Sequence, residues 1–215
     1  MKKVLAVVLA ISAVVLAGPV WAVTPTYTVT VGGSSAPVTY SISAVTSGSV
    51  SMSIKNNAGT VVNTSCTSIS ASGKVFGGTG INPWAQLDNS TWSGCAIPGG
   101  PATITPSGSW RVTGTDGAVG GWIPGYLGDL YFTAKVTANA SVCSFAVQGA
   151  GGMSGGPDVR FEPATQRLAI AETGFTHHLK VVNVSGCLGQ IQLGNPVNLV
   201  TTFNVSSAAG PINVS

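Results

Sequence analysis

The chain has 215 residues with nine Lys and Arg against six Asp and Glu, a formal charge of +3. Two of those cations, Lys2 and Lys3, lie in an N-terminal leader, so the rest of the chain is close to neutral. Catalysis, nucleic-acid binding and metal capture draw on charged or titratable side chains, which are scarce here, and the dispersed cations form no basic stripe for a nucleic acid.

Residues 1–22 have the layout of a secretory signal peptide: Lys2-Lys3 as the basic start, Val4 to Ala17 as the apolar run and Val20-Trp21-Ala22 as a small-x-small cleavage site. A mature chain is therefore expected to begin at Val23. The apolar run is shorter than the ~20 residues that a membrane span needs, and the chain has no second run of that length, so no transmembrane helix is expected. Pro19 stands where a lipid-bearing cysteine would have to be. Together these features predict a secreted protein, extracellular or loosely associated with the cell surface.

Beyond the leader, apolar residues alternate with Ser, Thr and other polar residues and do not recur at helical spacing, which predicts half-buried strands. The first is Tyr27–Val31, followed by one that sets Val38, Tyr40 and Ile42 against Thr39, Ser41 and Ser43. Next come Val50, Met52 and Ile54 against Ser51, Ser53 and Lys55, then Thr60–Thr64, Ala102–Thr105 and Ser109–Thr113. The clearest case sets Leu130, Phe132, Ala134 and Val136 against Tyr131, Thr133, Lys135 and Thr137. Val142–Val147, Arg167–Ala171, His178–Val184 and Val197–Val205 complete the series. Residues suited to turns fall between them at Gly32-Gly33, Ser47-Gly48, Asn56–Gly59, Pro106–Gly108 and Asp116-Gly117. The pattern predicts an all-β fold, an antiparallel β-sandwich or barrel, built as a single domain over residues 23–215. The Gly-rich segment Gly149–Pro157 reads as a mobile loop within that domain.

Four cysteines, Cys66, Cys95, Cys143 and Cys187, all lie beyond the leader, and an even count in an exported chain favours disulfides. Three pairings are open. Cys66–Cys95 with Cys143–Cys187 closes the shorter loops and is preferred. No C-x-x-C pair or suitably spaced histidine exists, so neither a zinc site nor any other cofactor is expected.

Gly152-Met153-Ser154-Gly155-Gly156-Pro157 resembles a serine-protease nucleophile motif and fits G-x-S-x-G. However, Met153 occupies the position of the usual Asp, both histidines come after the serine, and no helix is available for a nucleophile elbow. His177 and His178 are adjacent, and neighbours on a strand point to opposite faces, so they read as a solvated pair. Asp116, Asp129, Asp158, Glu162 and Glu172 are scattered singly, with no pair marked out for glycosidase chemistry. The aromatic residues say more, because Trp84, Trp92, Trp110, Trp122 and Tyr126 crowd one stretch. Trp92 and Trp110 suit a core near Cys95. Trp84, Trp122 and Tyr126 lie in loop-like sequence and are the candidate ligand-binding residues, because flat rings can stack on sugars or line an apolar site.

Several short motifs stand along the chain: Ser65-Cys66-Thr67-Ser68, Gly78-Thr79-Gly80, Trp92-Ser93-Gly94-Cys95 with Pro98-Gly99-Gly100, Gly108-Ser109-Trp110 and Asn183–Gly189. In them the chain resembles small, uncharacterised secreted β-rich proteins of high-GC Gram-positive bacteria. The resemblance implies an exported bacterial β protein with paired cysteines and lends no biochemical role. The expectation is a non-enzymatic binding or cell-envelope-associated module whose partner is an envelope glycan or an apolar small molecule. The rival is a structural or pore-forming surface assembly, suggested by alternating strands and scarce charge. A hydrolase built on Ser154 comes third.

Overall fold

The computed structural model describes residues 25–138, 141–149 and 156–215; the leader, Ser154 and most of the Gly-rich segment lie outside the described residues. Among these residues there are eighteen strands and no helix. Fourteen of the strands come in consecutive pairs, each pair being one long strand broken once. These are β2 (Thr39–Thr46) with β3 (Val50–Lys55), β4 (Val61–Cys66) with β5 (Ser68–Phe76), and β7 (Ala85–Ser93) with β8 (Ala96–Ile97). The next are β9 (Gly100–Ser107) with β10 (Trp110–Gly114), β11 (Ile123–Gly128) with β12 (Tyr131–Ala138), β13 (Ser141–Gly149) with β14 (Asp158–Glu162), and β15 (Arg167–Glu172) with β16 (Leu179–Ser185). The unbroken β17 (Val197–Ser206) is the eighth long strand.

One half of every broken strand pairs in the order β2-β5-β7-β10-β11-β14-β15, and β17 joins β15 to β2, closing an eight-stranded antiparallel barrel. The other halves repeat the order as β3-β4-β8-β9-β12-β13-β16. That run starts from the same edge of β17, where Val197–Val200 pair with β3, and returns to it through a Lys180–Pro196 bridge. β2 and β3 therefore lie end to end along β17, and Ser47 between them donates its N–H to the Thr202 carbonyl at 2.8 Å. The molecule is an up-and-down barrel of eight long strands, all but β17 broken at a common belt. Of the two architectures that the sequence left open, it is the barrel.

Alternation fills the interior. Phe132, Ala134 and Val136 point inward from β12, Val50, Met52 and Ile54 from β3, and Phe161, Leu168, Ile170 and Phe203 from the closing strands, all in one continuous buried cluster. Trp92 packs on Phe132 with centroids 5.1 Å apart and edge-on to Trp110 at 6.3 Å, both tryptophans being buried as expected. A small sheet, β18 (Ile212–Val214), β1 (Tyr27–Val31) and β6 (Gly78–Ile81), lies across the end where β10 turns into β11 and β14 into β15. Its Val29, Val31, Ile212 and Val214 join the core. The Asn82 side chain accepts from the Gly114 N–H at 3.0 Å and donates to the carbonyls of Gly114 and Pro25. Gln166 brackets Ile212 in the same way, with both bonds at 2.8 Å. Gly114 has to lack a side chain, because a Cβ there would sit 2.3 Å from the Tyr27 ring.

Both expected disulfides are present, Cys66–Cys95 at the belt and Cys143–Cys187 at the opposite rim. Other expectations need correction. Val38 is exposed and precedes its strand, because the Pro37–Val38 turn, closed by a Val38 N–H to Ala36 carbonyl bond, delays the start of β2 to Thr39. His178 also lies outside a strand, which begins at Leu179. Of the Gly-rich segment, Gly149 belongs to β13, while Gly156 and Pro157 lie outside any strand and are buried against β11, where the Leu127 N–H reaches the Pro157 carbonyl at 3.0 Å.

Candidate functional site

β11 and β14 are neighbours in the barrel wall, in a register that sets Pro124 opposite Arg160 and Tyr126 opposite Asp158. Ile123, Leu127, Val159 and Phe161 from the same strands face the core, so period-two alternation leaves Pro124, Tyr126, Asp158 and Arg160 on the outer face. Trp122, one residue before β11, extends this row: the Arg160 guanidinium lies over its indole, 4.9 Å from the ring centroid. Beside the row, Thr115, Pro124, Gly125, Asp158, Val159, Arg160 and Ala171 line a groove of about 380 Å³. Gly125 keeps the wall thin there, since a Cβ would fall 2.2 Å from the Thr113 carbonyl oxygen.

Two of the three candidate contact residues, Trp122 and Tyr126, thus meet on one face, each half-buried. Trp84 does not join them. It is 3% exposed, inside the barrel, with its ring 5.0 Å from that of Phe161. The Phe76 N–H donates to its carbonyl at 2.9 Å and its own N–H donates to the Val112 carbonyl at 3.1 Å, so the backbone of β5 and β10 holds Trp84 in the wall and its side chain turns inward. The adjacent Pro83 suggested a loop, but the preceding turn ends one residue before the ring enters the core.

At the belt end of the row the chain brings together groups that the sequence shows as scattered. β14 starts with Asp158, β15 ends with Glu172, and His178 closes the connection to β16. The His178 Nδ1 lies 3.1 Å from the Glu172 Oε2 and 3.9 Å from the Asp158 Oδ1. The Thr176 hydroxyl donates to the other Glu172 oxygen. Asn198 of β17 fixes the connection by accepting the Phe175 N–H at 2.8 Å. Glu172 is 1% exposed, whereas Asp158 and His178 are exposed. His177 has a left-handed φ of +68°, and both histidines are exposed in the connection ahead of β16.

A second cavity, about 200 Å³, opens at the far rim around the Cys143–Cys187 bridge and is lined by Val62, Ile97, Pro98, Val136, Leu188 and Ile191 among others. Sequence reasoning missed Arg160, Asp158 and Glu172 as partners. The Asp158-Val159-Arg160 alternation placed two charges on one strand face, but nothing local shows that this face adjoins Trp122 and Tyr126. Comparison with protein-family models, with curated proteins and with solved structures returns no match. No helix among the described residues is long and apolar enough to cross a membrane.

Proposed function

We propose that the chain is an exported, non-enzymatic binding module that holds a cell-envelope glycan along the outer row Trp122–Arg160–Tyr126–Asp158. The observation that carries this reading is the alignment of two aromatic rings with a guanidinium and a carboxylate beside one groove. A sugar offers an apolar C–H face for a ring and adjacent hydroxyls for planar charged groups, and the row supplies both chemistries. The adjoining groove of about 380 Å³, which Arg160 and Asp158 of the row line, is of ligand size, within the ~300–1,000 Å³ usual for such sites. The leader, the two disulfides and the resemblance to small secreted bacterial proteins support export.

The rival readings have less support. A pore needs an open lumen and an apolar outer band, whereas this barrel is filled, and Ser41, Ser43, Ser70, Ser72, Thr91 and Arg111 stand exposed on its outside. Asp158 and Glu172 lie close enough to suggest a glycosidase pair, but Glu172 is buried and both its oxygens are engaged, by Thr176 and His178. An apolar small molecule in the far-rim cavity is the second reading, favoured by that cavity's aliphatic lining. Its volume of about 200 Å³ restricts it to a small guest.

Trp122 is the one half-buried tryptophan among the described residues, the others being 2–8% exposed, so a glycan on the row has to change emission through Trp122. Titration of the oxidised chain from Val23 with soluble envelope oligosaccharides is expected to give a saturable emission change. Trp122→Ala or Tyr126→Ala is expected to weaken binding by roughly tenfold or more, at ~1–3 kcal/mol per lost stacking contact. Binding that both variants leave unchanged would refute the site.

A further inference from the structure

We infer that Asp158, Glu172 and His178 are the protein ligands of a divalent transition-metal ion of the zinc class, bound at the belt. This goes beyond the glycan reading and stands without it, although Asp158 belongs to both the row and the metal site. The three side chains offer one ligand atom each, and these atoms lie within 4.8 Å of one another. Ligand atoms around a tetrahedral zinc, at bond lengths of about 2.0–2.2 Å, stand about 3.4 Å apart. The distances from the His178 Nδ1, 3.1 Å to Glu172 and 3.9 Å to Asp158, straddle that value, so small side-chain rotations would complete the triangle.

Charge argues the same way. Glu172 is 1% exposed, and no Lys or Arg among the described residues forms an ion pair with it or with Asp158. An imidazolium alone would present one Nδ1 proton to two carboxylates. A divalent ion neutralises both, and leaves the imidazole neutral as a ligand.

The surroundings resemble a supported metal site. The Thr176 hydroxyl holds one Glu172 oxygen and thereby turns the other toward His178 and Asp158, the kind of outer hydrogen bond that orients a ligating carboxylate. Asp158 also lines the groove of about 380 Å³, which gives an ion a route in and room for water in its remaining positions. A histidine among only three protein ligands selects against calcium and magnesium, which take shells of oxygen. The bound ion would tie the start of β14 to the break between β15 and β16, joining adjacent long strands where their ladder is interrupted.

The test is equilibrium dialysis of untagged, chelator-stripped chain from Val23 against Zn²⁺ and separately against Ca²⁺, with metal measured by mass spectrometry. The expected result is one Zn²⁺ per chain, no Ca²⁺ at the same concentration, and retention of zinc by His177→Ala. His178→Ala and Asp158→Asn change exposed side chains and are expected to keep the wild-type circular dichroism while weakening Zn²⁺ at least ~10-fold. No Zn²⁺ bound, or zinc that survives both of these substitutions, would overturn the assignment. So would zinc lost on His177→Ala and kept on His178→Ala, which would mark a surface histidine site.

Discussion

At the scale of single residues, Asp88 shows how local backbone geometry places a charged group. Asp88 is the extra residue of a bulge: β5 and β7 slip register between Ser72 and Gly73, so that Gly73 faces Leu87 and Asp88 is left over. Its carboxylate accepts from the Gln86 amide and the Ser109 hydroxyl and lies 3.6 Å from the Lys74 Nζ. The Gln86 bond above all, then Ser109 and Lys74, hold its carboxyl below the ordinary value, against a smaller opposing effect of burial. A carboxyl whose folded value is depressed stabilises the fold above its unfolded value and loses that contribution as pH falls toward the folded one. Wild type is therefore expected to melt above Asp88→Asn at neutral pH, by under ~1 kcal/mol because the side chain is solvent-screened. The gap should shrink as pH falls below ~4. A gap that persisted unchanged at acid pH would show that the carboxylate's charge is not what matters.

At the scale of elements, the strand breaks decide what could be read from the sequence. β12 and β3 alternate without interruption and stand out at once. β7 (Ala-Gln-Leu-Asp-Asn-Ser-Thr-Trp-Ser) begins just as regularly, but its bulge at Asp88 displaces Trp92 from the phase of Ala85 and Leu87. β11 carries Pro124, Gly125 and Gly128, poor strand formers that are tolerated here because Gly125 allows close backbone approach and the neighbouring ladders supply the pairing. The disulfide pairing preferred for its shorter loops is the one present. Cys143–Cys187, spanning 44 residues, anchors the start of β13 to the segment after β16, on the side where closure runs through the Lys180–Pro196 bridge and the backbone bonds of Val181 with Gly194 and Asn195, ahead of β17. Replacing both cysteines with Ser should cost about 2–4 kcal/mol of stability in denaturant titration. It should also raise amide exchange in β16 more than in β15, which pairs with β17 along its whole length. Equal exchange in the two strands would show that the disulfide is not what secures this closure.

At the scale of the whole molecule, barrel closure assembles the candidate site. Trp122 and Tyr126 were legible as aromatics in turn-rich sequence, but Arg160, Asp158, Glu172 and His178 reach them only because β11, β14 and β15 are adjacent in the wall. Trp84 could not be told from Trp122 locally, since each sits beside Pro or Gly; the strand pairings around them send one ring inward and leave the other outside. The small sheet packs its Val29, Val31, Ile212 and Val214 into the core at one end, and the far-rim cavity opens beside Cys143–Cys187. The indole N–H resonances of Trp84, Trp92, Trp110 and Trp122 separate the outer row from the far-rim cavity in a single experiment. The decisive measurement is a two-dimensional ¹H–¹⁵N spectrum of the oxidised chain titrated with envelope oligosaccharides. Binding along the outer row has to shift the Trp122 indole signal and the β11 and β14 amides saturably while the three buried indoles stay fixed; saturable shifts clustered around Cys143, Cys187 and Ile191 with Trp122 unmoved would place the ligand in the far-rim cavity and refute the row.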